Sequence, residues 1–449
     1  MTRPHGYALL SAITTVIVAV SAAIYVGVDA GADAGNGGPG AAALAANGVG
    51  PHAAAPASAG VWVGTWGTAP SGTEPGTETS GTAGHTVRNV VHTSVGGTAA
   101  RITLSNLYGT RPLTVTAATL AVAAADDSAA VLPGSLRRLA FGGRTTAVVP
   151  PGEQIVSDAV RLAVPADADV LVSMYTPDSA GPVTVHRHAR QTSYDAVGEH
   201  TADPTGDAYT GRLTSWRHLT GLDVLSDRAE GTVVAFGDSI TDGVTATENA
   251  DRRWPDVLAD RLRAADGSGG GGAPRYGVVN AGISGNQVLA DGRGRPAENV
   301  SGLKRFDRDA LSRPNVRAVV IDLGVNDILR NPRLADPDAI LDGLRTLVRD
   351  AHARGVKAVG TTLLPFRGHR GYTDARERVR REINEAIRSG SVFDEVVDVD
   401  RALHDPYDPR RLRSDYDSGD HLHPSDKGYR AMAGLIEWKQ LRGTAPAAL

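Results

Sequence analysis

The chain of 449 residues contains no cysteine. That absence excludes disulfides, thiol nucleophiles, Cys-ligated zinc and iron–sulfur clusters. It leaves the compartment open, because a cysteine-free chain has nothing to mispair under oxidising conditions. Lysine is nearly missing as well: of 46 basic side chains, only Lys304, Lys357, Lys427 and Lys439 are lysines. With 53 Gly and abundant Ala, this skew reads as GC-rich coding rather than a nucleic-acid surface. A formal charge of −4 gives neither nucleic acid nor an anionic membrane an electrostatic handle, so no nucleic-acid partner is expected. Aromatics are scarce at 5%, which disfavours an exposed ring platform for sugars.

What is present describes a folded protein, since 41% hydrophobic and 21% charged residues are globular proportions. One core rarely grows past about 250–300 residues, so the length predicts two folded units. Arg3 precedes an apolar, uncharged run from Ala8 to Val28, and small-residue sites such as Val28-Asp29-Ala30 follow it. That order predicts a signal peptide over residues 1–30. An uncleaved signal anchor is the rival, because at about 1.5 Å per residue the run just crosses a hydrocarbon core of roughly 30 Å. Either way the remainder is expected outside the cytoplasm, secreted or held to a membrane only by this segment. Residues 31–58, nearly all Ala, Gly, Pro and Asn, cannot bury a core and are expected to form a disordered tether.

Two textures follow. Over 59–228 the chain shows short alternating runs, such as Arg101–Asn106, Leu113–Leu120, Gln154–Leu162, Val170–Tyr175 and Pro182–His186. Turn signals including Pro133-Gly134, Pro151-Gly152 and Gly181-Pro182 separate them, which predicts an all-β sandwich. Over 229–449 compact apolar runs (Thr232–Phe236, Tyr276–Asn280, Arg317–Leu323, Val356–Leu363, Val392–Val399) alternate with helical patterns. In 338–354, Ile340, Leu341, Leu344, Leu347, Val348 and Ala351 share one face, and Val379, Ile383 and Ile387 do so in the next helix. Strands alternating with helices predict a parallel sheet inside a three-layer α/β/α sandwich.

The chemistry gathers where those strands end. Phe236-Gly237-Asp238-Ser239 leaves the first strand, Ala281-Gly282-Ile283-Ser284-Gly285-Asn286 the second and Gly324-Val325-Asn326-Asp327 the third, while Asp420-His421-Leu422-His423-Pro424 precedes the last helix. Ligands of open parallel sheets collect at the carboxyl ends of the strands. A hydroxyl, an imidazole, a carboxylate and neutral N–H donors at one face are what acyl transfer requires. Ser239 alone also reads as a helix cap. Asp238 and Asp327 read as partners of their own turns, whereas Asp242 and Asn286 are placed where they could touch substrate. The pairs His186/His188 and His421/His423 invite a metal reading, but two histidines without further ligands at a set spacing are weak evidence, and no metal is expected. Arg293, Arg295, Arg367, His369 and Arg370 read as solvated loop charges.

These four segments, in this order, resemble blocks I, II, III and V of the SGNH hydrolases, the GDSL-type esterases and lipases, with a flavodoxin-like fold. The resemblance implies Ser239 as nucleophile, His423 as general base and acid, and Asp420 as the residue orienting His423. It also implies an oxyanion hole made by Ser239, Gly285 and Asn326, and no cofactor. Ile240 stands in place of the usual Leu, and His421 where the family often has Gly. The segments Asn89–Ser94 and Leu104–Gly109 resemble the leading β-domain of secreted bacterial members related to acetylxylan esterases and arylesterases. The function expected is a secreted esterase acting on small-molecule or polysaccharide esters through an acyl-serine. Two alternatives stand beside it: an acyltransferase using the same acyl-enzyme, and an inactive cell-wall-associated binding protein.

Overall fold

Gly231 marks a change of backbone as well as of composition: every strand before it pairs antiparallel, and every strand from it onward pairs parallel. The computed structural model describes residues 60–267, 272–292 and 299–443. The expected leader and tether (1–58), most of the Gly-rich stretch 267–272, and Arg293 and Arg295 lie outside the described residues. Among the described residues no helix is long and apolar enough to cross a membrane.

The first domain is built from two principal antiparallel sheets. One runs Val61–Gly67, Leu219–Ser226, Gly97–Ser105 and Val160–Val164, with Gln154–Val156 also paired to Gly97–Ser105. The other runs Gly211–Leu213, Ser193–Val197, His85–His92, Asp169–Thr176, Ala117–Val122 and Arg137–Arg138. Alternation decides which side chains meet between them. Ile102 and Leu104 from one sheet share a buried cluster with Val170, Val172 and Met174 from the other, while Leu171 turns to a second cluster with Val90 and Tyr194. The run Gln154–Leu162 makes two strands instead of one. Ser157 Oγ accepts from Ile102 N (3.0 Å), and Asp158 turns out to accept from Gly142 N (3.0 Å) and Gly143 N (2.7 Å).

The second domain is an α/β/α sandwich. Its five parallel strands lie in the order Tyr276–Gly282, Gly231–Gly237, Val316–Asp322, Lys357–Thr361, Glu395–Val397. Numbered along the chain this is 2-1-3-4-5, so the order reverses between the first and third strands, where such sheets open a crevice. The helix Pro337–Ala353 buries the six residues that share its predicted face. Asp336 caps it by accepting from Asp338 N, and Gly355 follows its end at φ +69°. The last strand is shorter than the run Val392–Val399, because the Phe393 ring lies over Gly360 rather than continuing the ladder.

The two domains meet along the edge strand Tyr276–Gly282. Gly64 and Gly277 face each other so closely that a Cβ on Gly277 would lie 2.1 Å from Gly64 O. Val278 N donates to Ser94 Oγ (2.9 Å), Gly64 N to Thr232 Oγ1 (3.0 Å), and Arg313 reaches Thr68 O and Thr220 O (both 2.8 Å).

Candidate active site

The strand Gly231–Gly237 is buried throughout and delivers the chain into a single helical turn, Ser239–Asp242. Asp238 is the cap of that turn, accepting from Ile240 N at 3.0 Å, so Ser239 is not the capping residue and its hydroxyl is free for another partner. That partner is His423, whose Nε2 lies 2.8 Å from Ser239 Oγ. His423 Nδ1 lies 2.5 Å from Asp420 Oδ2, and Asp420 Oδ1 accepts from the N–H groups of Leu422 (2.9 Å) and His423 (2.8 Å). Partial burial raises the Asp420 carboxyl, but the His423 hydrogen bonds and charge outweigh it and hold the group below the usual carboxylate range. With Nδ1–H given to a carboxylate, Nε2 of a neutral ring is left to accept from the serine hydroxyl.

Gly285 is buried at φ +78°, a conformation that suits glycine. Asn326 Nδ2 donates to Asp238 Oδ2 (3.1 Å), which leaves its second amide hydrogen for another acceptor. Burial and the neighbouring Asp322 push the Asp238 carboxyl well above its ordinary range. Asp238 therefore serves both the Ser239 turn and the Asn326 amide, a wider role than partner of its own loop. Asp327 accepts from Val288 N (2.8 Å) and Leu289 N (3.0 Å), and burial raises it to about 6. It holds a neighbouring loop in addition to bonding its own backbone.

Two residues that the sequence placed within reach of substrate are enclosed. Asn286 is fully buried, giving Nδ2 to Asn299 Oδ1 and Val300 O and taking a bond from Arg305 Nε. Asp242 is fully committed to His186, His188 and Ser284. His421 sits beside the triad-like group at φ +65°, with Nδ1 2.7 Å from Asp417 Oδ2. Arg367 is paired with Asp408 at 2.5 Å rather than free. His369 feels the charges of Asp420 and His423, and burial lowers its pKa.

Arg330 and Arg305 carried no sequence signal. Arg330 Nε donates to Asn326 Oδ1 (3.1 Å), and a Cβ on Gly285 would lie 2.3 Å from Arg330 Nη2, so this guanidinium lies against both Gly285 and Asn326. The spacing of four residues from Asn326 is the only hint available. Arg305, fully buried, ties the ends of the first two strands by donating to Gly237 O (2.8 Å), Ala281 O (2.7 Å) and Asn286 Oδ1 (2.9 Å).

Among the described residues, His92, Asp169 and Asp251 form the group whose donor atoms converge as metal ligands would. Burial opposes charge on His92, yet hydrogen bonds and charges of Asp169, Asp251 and Asp167 raise it to about 9. A protonated ring thus balances the carboxylates itself. None of these residues belongs to the Ser239 group. A cavity of about 350 Å³ lined by Val95, Leu262 and Tyr276 also contains none of that group.

Residues 235–431 match the model of the GDSL-like Lipase/Acylhydrolase family. No curated protein matches the chain. Solved structures similar to it include a lipase/acylhydrolase from Enterococcus faecalis, at 22% identity and TM-score 0.34, covering 45% of this chain and 92% of that one. A carbohydrate acetylesterase from Sinorhizobium meliloti is similar at 18% identity and TM-score 0.34, covering 45% and 94%. A GDSL-like lipase from Bacteroides thetaiotaomicron is similar at 22% identity and TM-score 0.33, covering 45% and 84%.

Proposed function

We propose that this chain, whose second domain belongs to the GDSL-like lipase and acylhydrolase family, is a serine esterase that hydrolyses carboxylic esters through an acyl-Ser239 intermediate. The observation that carries the reading is the line from Asp420 through His423 to Ser239, with spacings of 2.5 and 2.8 Å. In the first step Ser239 Oγ bonds to the ester carbonyl carbon while its proton passes to His423 Nε2. The tetrahedral oxyanion takes hydrogen bonds from Ser239 N–H, Gly285 N–H and Asn326 Nδ2. Collapse breaks the carbon–oxygen bond to the alcohol, and His423 returns the proton to that leaving oxygen. Water then attacks the acyl-serine by the same route in reverse, releasing the acid and restoring Ser239. Asp420 holds the ring in the tautomer that presents Nε2 and balances its charge once protonated.

The order of the leader, a positive end, an apolar run and small residues, supports secretion, with processing near residue 30 and a tether over 31–58. Domain borders at 59–228 and 229–449 belong to the same reading, and the change of pairing at Gly231 supports them. The ester substrate is a small molecule or an acetylated polysaccharide.

The test is turnover of p-nitrophenyl esters from acetate to palmitate by the full chain and its Ser239→Ala variant, with fluorophosphonate labelling of both. Ser239-dependent hydrolysis and labelling support the reading. Turnover that survives Ser239→Ala at the wild-type rate overturns it.

A further inference from the structure

The His186–His188 pair finds its use at the boundary between the domains. The strand Thr184–His186 belongs to the β-domain, yet the His186 ring reaches the turn that carries Ser239. His186 Nδ1 lies 2.8 Å from Ala69 O and Nε2 lies 2.9 Å from Asp242 Oδ1. A carbonyl and a carboxylate only accept, so both ring nitrogens face acceptors and the ring is held from both ends. His186 is 4% and Asp242 2% exposed. Burial alone would raise Asp242, but His186 and then His188, at 3.5 Å, hold it below the usual carboxylate range.

The other end of that carboxylate matters more. Asp242 Oδ2 accepts from Ser284 N (2.9 Å) and Ser284 Oγ (2.5 Å), and Ser284 precedes Gly285 directly. The same stretch of the β-domain grips the chain beyond the turn. Asn249 N donates to Arg190 O (2.8 Å) and Thr192 N to Asn249 Oδ1 (2.7 Å), with Asn249 at φ +56°.

We infer that His186 is a positioning residue for the oxyanion hole: through Asp242 it holds Ser284 and thereby aims the N–H of Gly285, so the β-domain is a working part of the catalytic apparatus. This rests on the proposed esterase reading, in which Gly285 is an oxyanion donor. A loop glycine in the left-handed region has little of its own to fix its amide direction. An error of about 1 Å in such a donor costs on the order of 10²-fold in rate.

The test uses the full chain as wild type and as His186→Phe, His186→Gln, Asp242→Asn, Ser284→Ala and the last two combined. kcat and KM for p-nitrophenyl acetate are read well below each melting temperature. His186→Phe should lower kcat about 10²-fold with KM changed less than about threefold. His186→Gln, which keeps an N–H donor toward Asp242, should recover part of that loss. The combined Asp242→Asn/Ser284→Ala variant should lose no more than Asp242→Asn alone, because both changes cut one connection. A His186→Phe protein that melts earlier but keeps wild-type kcat, or that changes only KM, overturns the inference, as do additive losses in the combined variant. If neither His186 variant folds, the combined variant decides. A wild-type chain without Ser239-dependent turnover overturns the esterase reading instead, so the two failures are told apart.

Discussion

Two histidine–aspartate pairs converge on one helical turn, His423–Asp420 on Ser239 and His186–Asp242 on its far end. They use the same residue types at similar distances, and what separates them is the partner of the second ring nitrogen. His423 Nε2 meets a hydroxyl, which can give or take a proton, whereas His186 Nδ1 meets a carbonyl that can only accept. Burial runs the same way. The Asp420 side chain is 43% exposed and the Asp242 side chain 2%. A pair meant to exchange a proton keeps an uncommitted lone pair and some access to water. A pair with every lone pair and hydrogen committed can only hold things in place.

The sharpest way to break this contrast is at the proposed chemical pair. Ser239→Ala or His423→Ala should lower kcat/KM for p-nitrophenyl acetate by about 10⁴–10⁶-fold with the fold retained. Melting temperature and steady-state rates check both halves of that statement. Asp420→Asn should cost less than His423→Ala, about 10²–10⁴-fold, since the ring stays present but loses its orienting charge.

The buried pair should show itself in stability as well as in kcat. His186→Phe leaves a buried carboxylate without its ring partner, and about 3–5 kcal/mol of unfolding free energy should go with it. Urea denaturation measures this. Asp420→Asn, at a partly exposed site, should shift the urea midpoint far less, and equal shifts for the two variants would erase the distinction.

His92 adds a third kind of pair, one whose contribution depends on pH. Its folded pKa of about 9 lies above the reference value of 6.5, so the folded state binds the proton more tightly. The stability this contributes is fully present below about pH 6.5 and is lost as pH rises through about 9. Urea midpoints measured from pH 6 to 10.5 should fall over that window in the wild type, and His92→Gln should flatten the fall.

The sequence made the segments around Ser239, Gly285, Asn326 and His423 legible because each is contiguous and stands at a strand end or before a helix. The parallel pairing could also be anticipated, since strands alternating with helices require crossover connections. What stayed hidden acts across long separations. His186 lies 56 positions from Asp242, and Asp238 lies 88 from Asn326. No local pattern announces such contacts. An HxH pair looks the same whether it binds a metal, a proton or a carboxylate. The apolar run Val392–Val399 misled about strand length for a related reason: Phe393 is buried against Gly360, and burial alone does not distinguish a ladder from a plug.

The covered edge of the parallel sheet has a further consequence, for solubility. Tyr276–Gly282 is an outermost strand, and the β-domain shields it by taking the Val278 N–H onto Ser94 Oγ and pressing Gly64 against Gly277. A second domain cut free at Gly231 would bare that strand's unpaired amides along with apolar Val279 and its neighbours. Exposed edges of this kind recruit other chains and self-associate. The β-domain thus covers an edge that its neighbour does not cover itself, and the second domain expressed alone should be the less soluble of the two forms.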